Sequence, residues 1–529
     1  MHSGPRILDA VQDQHGANWF RYGTDKRSIW FAVADLVTAQ ARVFGRLAAI
    51  NARVLTPRSQ TAFKQEIEDH ATFRDALVAT RPGWLENHFV FGDGSVISPK
   101  GDGREIIFAF EPDRRFKPRG TLADWQKRVD PFVRQQALAH FALAFALVGP
   151  LLRFIARGQL NPQAELVGDQ ETGKSAIGVL ASSVWAGDPD SDVGGGESLD
   201  ATFNSFDEVK SFRSDSVVFF DEANLVGSSA GQRSDFLQDL IFKNSSNRGK
   251  RRMGDPTALE TASLAILSTT NIPLKDLVNG ENARIRAMHS RLITIMLAPD
   301  RPYGVLDTVP PGYASARDAI EAMQAAADEC WGTPARKFVA KLVQRANRDE
   351  DRLQRRIARD IARARQALAD VPGSARVKKT LALVAAASGL ASAWGVFREA
   401  WGSPTAMIDA ILPLTGAGGL AASISPIGRV RSYVEQHRDG LIELPDPIKP
   451  VQIKVFESCA GFLRHHKGRT ELLIPGDRLR AEFHDHETII HALNQDGKIR
   501  TENGKQKKLT IKTPRGMCIG KRVYCIFID

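Results

Sequence analysis

An α/β architecture organised on a parallel sheet is the fold class that this 529-residue sequence predicts. Three observations predict it. Four short apolar runs, "AELVG" (164–168), "SVVFFDEA" (216–223), "SLAILSTTN" (263–271) and "RLITIML" (291–297), alternate with helical stretches. Unbroken apolar runs of this length belong to parallel strands covered on both faces. The first run leads straight into a glycine-bearing loop and then a helix. Beyond about residue 311 the apolar spacing becomes helical and stays so to about 425.

Residues 1–120 read as an α/β unit. Strand-like "SIWFAVADL" (28–36) precedes helical "AQARVFGRLAAI" (39–50), and "HFVFGDGSVISPKGDGREIIFAF" (88–110) holds two "GDG" turns that predict hairpins. "EPDRRFKPRGT" (111–121), rich in proline and charge, marks a boundary, and Thr121 reads as the N-cap of the next helix. Residues 121–310 form the sheet-bearing core. In the helical region 311–425, Leu353, Ile357, Ile361, Ala364 and Leu368 make one apolar stripe while arginines fill the other faces. That arginine face reads as solvated or as a subunit contact. Residues 426–529 end in "ELLIPGDRLRAEF", "HETIIHALNQDGKI" and "KKLTIKTPRGMCIGKRVYCIFID", the order of strand or short helix, helix and strand pair expected of a winged-helix module.

Composition sets the outer limits. With 43% apolar and 25% charged residues the chain is ordinary globular protein of three or four domains. "ALAHFALAFALVGPLL" (137–152) and "TLALVAAASGLASAWGVF" (380–397) are too short or too interrupted to span a bilayer and read as buried helices. The first residues lack a secretory pattern, and Cys330, Cys459, Cys518 and Cys525 show no CxxC spacing, which fits a reducing cytoplasm. The net charge is +10. Residues 461–529 carry 14 Lys/Arg against 8 Asp/Glu, so a basic terminal module implies a polyanionic partner.

The chemistry starts at "VGDQETGKSAIGVL" (167–180). Gly168, four residues, Gly173, Lys174 and Ser175 have the spacing of a phosphate-binding loop, whose amides and following helix N-terminus cradle phosphates. Thr172 sits within it. Lys174 would reach the β- and γ-phosphates of ATP, and the Ser175 hydroxyl would ligate Mg²⁺. In "VVFFDE", Asp221 at a strand end is placed to hold the same Mg²⁺ through water, and Glu222 to polarise the attacking water. The two motifs together imply a nucleoside triphosphatase. Asn271, ending "STTN", takes the sensor position of ring-forming AAA+ ATPases. Arg291, just before the last apolar run, takes the position of their arginine finger, with Arg284 and Arg286 as rivals. The stretch "KNSSNRGKRRMGDP" (243–256) offers Arg248, Lys250, Arg251 and Arg252 to a single DNA strand in a central channel, to solvent, or to a neighbouring nucleotide.

"GTLADWQKRVDPFVRQQALAHFALAFALVGPLL" followed by "LVGDQETGKSAIGVLASSVWAGDP" resembles the domain of unknown function 927 family, helicase-like ATPases of phages, plasmids and mobile elements. The likeness continues through "LDATFNSFDEVKSFRSDSVVFFDEA", "AILSTTN", "SRLITIML" and "YGVLDTVPPGY", and is strongest over residues 80–310. Relatives in cassette elements are similar to minichromosome-maintenance helicases, and "HSRLITIM" resembles their arginine-finger segment "SRFDLIF". The resemblance implies an AAA+ core with a winged helix behind it and DNA as substrate; six subunits, the usual AAA+ number, are expected to form a ring, and the sequence shows no primase signature, so any primase is expected on a separate chain. The expected function is ATP-driven DNA unwinding or translocation in the replication of a mobile element. A DNA-binding initiator or regulatory switch that never unwinds, or a phage-defence ATPase, is the alternative.

Overall fold

A computed structural model describes residues 4–155, 161–197, 203–223, 234, 236–238, 240–241, 263–277, 291–371, 374–415, 426–483, 486–502 and 508–528. The chain opens with β1 (Arg6–Gln12), β2 (Asn18–Thr24) and β3 (Arg27–Ala32), an antiparallel meander. Helices α1 (Asp35–Thr38), α2 (Gln40–Ala49) and α3 (Pro57–Glu68) follow, and β4 (Arg74–Asp75) returns parallel to β1. Phe20, Phe31, Phe44, Phe63 and Leu47 fill a small core of their own between sheet and helices.

Within the expected unit 1–120 the chain after β5 (Leu77–Ala79) makes two kinds of contact. Strand β9 (Ile106–Phe108) returns to β5 and packs Ile107 with Val11 and Val78, whereas the segment β6 (Gly83–Leu85), β7 (His88–Val90) and β8 (Val96–Ile97) lies against the following region. Its Phe89, Phe91 and Phe116 join the large central core. Arg336 clamps it there, with Nη2 2.7 Å from the Asp93 carboxylate and the guanidinium 4.2 Å from the Phe91 ring centre. The first "GDG" closes the β7/β8 hairpin as expected. The second does not, because β9 pairs in parallel with β5. Side chains fix that loop instead: Asp102 accepts from Arg104 and pairs with buried His88.

The central region contains α4 (Leu122–Val133), α5 (Ala137–Ala146), β10 (Gln163–Val167), α6 (Lys174–Ser182), α7 (Phe203–Phe212), β11 (Val217–Phe220), β12 (Ala265–Thr270) and β13 (Ile293–Met296). Thr121 caps α4 by accepting from Asp124 N. The four strands form one parallel sheet in the order β11–β12–β10–β13, extended beyond β11 by a parallel bridge from Glu197 to Phe220. Alternation explains the two covered faces. Val217, Phe219, Ala265, Leu267, Ile293 and Ile295 face the helices of the large core, while Val218, Phe220 and Ile266 face a second cluster with Leu240 and Leu274. Helix α5 is buried on every side, which accounts for an apolar segment with no polar face. Close approach of α6 to the sheet requires Gly178, whose added Cβ would fall 2.1 Å from the Phe219 ring.

Helices α8 (Ala316–Glu329), α9 (Thr333–Ala367), α10 (Ala375–Ala393) and α11 (Pro404–Ile411) pack into the same core. Leu353, Ile357 and Ile361 of α9 and Leu368 just past its end are buried, as their spacing predicts, and Ala364 packs against them. Among the described residues, no helix is long and apolar enough to cross a membrane. The last region contains α12 (Pro426–Gln436), β14 (Leu441–Glu443), α13 (Ile453–Ser458), β15 (Gly461–His466), β16 (Arg469–Pro475), α14 (Gly476–Glu482), α15 (His486–Gln495), β17 (Ile511–Lys512) and β18 (Arg522–Phe527). Its sheet runs β14–β15–β16–β18–β17, parallel only between β14 and β15. The expected strand, helices and closing strand pair are present, with two further strands preceding them.

Candidate nucleotide-binding site

Strand β10 is buried along its whole length and delivers Gly168 to the carboxyl end of the sheet. An added Cβ there would sit 2.9 Å from Leu297 Cβ, so only glycine fits. The loop then turns through left-handed Glu171 (φ 60°) and Gly173 (φ 88°) into α6. At Gly173 a side chain would strain the backbone and meet Ile320 and Val305 at 2.8 Å. Thr172 Oγ1 donates to Asp169 O at 2.9 Å, and Val305 N donates to Thr172 O at 2.9 Å. The "YGVLDT" segment therefore braces the loop from outside. Among the described residues, no backbone N–H from Asp169 to Ala176 finds an acceptor. Alternating left-handed residues at a helix N-terminus aim such groups into one concavity suited to an anion.

Lys174 is buried and folds back on its own loop, with Nζ 2.9 Å from Gly168 O and 2.6 Å from Asp169 O. Burial pulls its ammonium below the ordinary lysine range, and the carboxylates of Asp221, Asp169 and Glu222 oppose this without cancelling it. A buried cation with incomplete compensation is stabilised by an arriving anion. Ser175 Oγ donates to Asp221 Oδ1 at 3.0 Å. The donors gathered here are oxygens only, which fits a hard cation such as Mg²⁺.

Thr269 was not singled out in the sequence. Its hydroxyl donates to Asp221 Oδ1 and accepts from Glu222 N at 3.0 Å, tying β12 to the end of β11. The signal for it was available in the period of two. Ala265 and Leu267 on β12, and Val217 and Phe219 on β11, face α6, so the same parity puts Thr269, Asn271 and Asp221 on that side. Glu222 is exposed, at a left-handed φ of 46°. Asn271, half-buried, directly follows β12.

Arg291 lies elsewhere. It precedes β13, whose residues Ala164-to-Val167 partners are Ile293 to Met296, so it sits at the amino end of the sheet. Four strand residues, about 13 Å, separate that end from the loop. Burial and the neighbouring Arg376 both depress its pKa. Arg248, Lys250, Arg251, Arg252, Arg284 and Arg286 lie outside the described residues.

Fold and cluster define the class: a mixed α/β protein whose parallel sheet gathers a lysine, two hydroxyls and carboxylates at its carboxyl ends. Residues 6–255 match the model of the family described as "Domain of unknown function (DUF927)", in agreement with the resemblance read from the sequence. No curated protein matches the chain. A solved structure titled "SCCmec type IV Cch - active helicase" is similar over 100% of this chain and 94% of its own, at 16% identity and a TM-score of 0.55. At that identity the likeness is one of fold. Two solved structures of the "NrS-1 C terminal region-CTR" align at 12% and 10% identity, over 72% and 98% of this chain and 87% and 96% of their own, each with a TM-score of 0.25.

Proposed function

We propose that the protein is an ATP-dependent DNA helicase or translocase of a mobile genetic element or phage, acting in replication as a ring-forming AAA+ ATPase. One observation carries this reading: Lys174, Ser175, Asp221 and Thr269 converge from three adjacent parallel strand ends beside a run of unpaired amides. The helicase-titled fold neighbour supports the class of motor. The strand order, with Glu197 at the fifth position, supports the AAA+ core.

ATP is the substrate. The amides of Asp169 to Ala176 and the N-terminus of α6 hold its phosphates, and Gly168 and Gly173 keep that space clear. Lys174 exchanges the carbonyls of Gly168 and Asp169 for β- and γ-phosphate oxygens, which lifts the cost of its burial. Ser175 directly, and Asp221 through water, would hold Mg²⁺, which would supply charge neutralisation on the phosphates. Thr269 keeps Asp221 aimed while Glu222 accepts a proton from the attacking water and Asn271 orients it. Arg291 is too far to serve its own chain. It completes the site of the next subunit, so that hydrolysis requires a ring, expected to be a hexamer.

The basic stretch containing Arg248, Lys250, Arg251 and Arg252 grips a single DNA strand in the channel. The winged-helix-like module 426–529 docks duplex DNA or a partner, and priming falls to a separate primase. Regions 1–120, 121–310 and 311–425 are the N-terminal unit, the ATPase core and the helical lid. The test is ATP-dependent strand displacement on a forked substrate. Displacement that disappears in Lys174→Ala is the expected result. Hydrolysis without displacement would assign the chain to the initiator, switch or defence readings instead.

A further inference from the structure

Helix α9 is broken once. Asp349 has non-helical backbone (φ −170°, ψ 93°), and its Oδ1 accepts from Arg352 N at 2.8 Å, so a separately capped segment begins there. The buried side of that segment is Leu353, Ile357, Ile361 and Leu368. At about 100° per residue, the sector opposite this stripe holds Asp351, Arg352, Arg355, Arg359, Ala362, Arg363 and Gln366. All seven are exposed. The sector contains four arginines and one carboxylate, Asp351. Arg356, outside it, is the one that pairs with Asp360, at 3.7 Å.

A solvated helix face ordinarily mixes signs, as Arg317 and Glu321 do on α8. Here Arg355, Arg359 and Arg363 repeat at every fourth position, an arrangement in which like charges repel. Arg352 also sits in the first turn of the capped segment, where the helix dipole disfavours a cation. Asp351, four residues before Arg355, offsets one of these charges, and the sector keeps an excess of three that the dipole does not explain. The row covers about 16 Å in steps of about 6 Å. At its far end lies an open hollow of about 470 Å³ lined by Ala362, Arg365, Gln366, Ala369, Ala375 and Lys378. The basic track thus continues from α9 onto α10.

We infer that this face of α9 binds the phosphate backbone of duplex DNA without regard to sequence. The choice of DNA as polymer rests on the function proposed above; the choice of a polyanion rests on the charges alone. A protein partner is disfavoured because the sector has no large apolar side chain to form a buried centre. A single strand is disfavoured because residues 350–371 contain no Phe, Tyr or Trp on which bases would stack. Guanidinium forks repeating along one line suit a rigid row of phosphates.

The experiment uses the full chain, a fluorescein-labelled 30-base-pair duplex in two unrelated sequences, and anisotropy titrations between 50 and 200 mM salt, all about these values by design. The triple variant Arg355→Gln, Arg359→Gln, Arg363→Gln should lose on the order of tenfold in affinity for both sequences. Its salt slope should flatten by about 0.9 for each phosphate contact removed. The Lys triple at the same positions, which keeps the charge, should stay within about threefold of wild type. Equal binding by wild type and the Gln triple overturns the inference. So does an equal loss in the Lys triple, or unchanged DNA binding with a smaller assembly, which would make the face a contact between copies. DNA-free ATP hydrolysis, measured on the same samples, should not change. Its absence in wild type would sink the ATPase reading while leaving the duplex result to stand or fall by itself.

Discussion

Thr269→Val offers the sharpest test of how the site is held together. The substitution keeps the β-branched shape in a buried strand and deletes one hydroxyl. That hydroxyl donates to the Asp221 carboxylate and accepts from Glu222 N. A hydrogen bond to a charged group contributes about 1.5–3 kcal/mol. The part-buried bond from the Glu222 amide is a neutral one and adds less, about 1 kcal/mol. A loss of about 2 kcal/mol in the positioning of Asp221 corresponds to roughly a 30-fold slower turnover. Because Asp221 is the proposed outer ligand of Mg²⁺, the half-maximal magnesium concentration should rise in the same variant. Steady-state ATP hydrolysis as a function of magnesium reads both effects, and Thr269→Ser should restore both. Hydrolysis by Thr269→Val within about twofold of wild type, alongside an inactive Lys174→Ala, would refute the assignment.

Two other predictions follow from where charges lie. Lys174→Ala and Arg291→Ala should each abolish hydrolysis alone, yet an equal mixture should recover about a quarter of the wild-type rate through interfaces that pair an intact loop with an intact arginine. No recovery, or an active Arg291→Ala, would move the finger to Arg284 or Arg286. Glu165, fully buried in β10, accepts from Thr294 Oγ1 at 2.6 Å and Leu274 N at 2.9 Å, yet burial pushes its carboxyl up to about 7. A raised folded pKa means the native state holds a proton that the unfolded chain releases. The stabilisation is full below about pH 4.5 and is lost as pH rises through about 7, roughly 3 kcal/mol in all. Comparing Glu165→Gln with wild type by thermal unfolding, the advantage of the wild type at pH 6 should shrink by pH 8. A constant difference would show that Glu165 stays ionised throughout.

The strands were legible because a parallel strand covered on both faces must be apolar throughout, and the four runs found this way are the four strands of the sheet. The motif spacing was legible for the same local reason, since Gly168, Gly173, Lys174 and Ser175 lie within one turn of chain. What stayed hidden depends on residues far apart. Nothing near Phe91 or Asp93 announces that Arg336 will clamp them. Nothing near Thr172 announces Val305. Thr269 stands between, since parity shows its face but only the neighbour relation of β11 and β12 shows its partner.

That neighbour relation also decides what one chain can do alone. Parallel strands place every carboxyl end on one edge of the sheet, so β10, β11 and β12 can pool Lys174, Asp221 and Thr269 regardless of their distance in sequence. The same geometry keeps Arg291 away, because a residue that precedes a parallel strand must lie on the opposite edge. Lengthening or shifting β13 by a residue would not bring it round; only a second molecule, presenting its amino edge to the first one's carboxyl edge, can do so. Arg376 of α10 stands beside Arg291, so any partner that meets one cation there meets two. Under the proposed function these two cations would meet the Lys174 cluster of a neighbour, and a head-to-tail contact of that kind gives a ring only where its rotation closes.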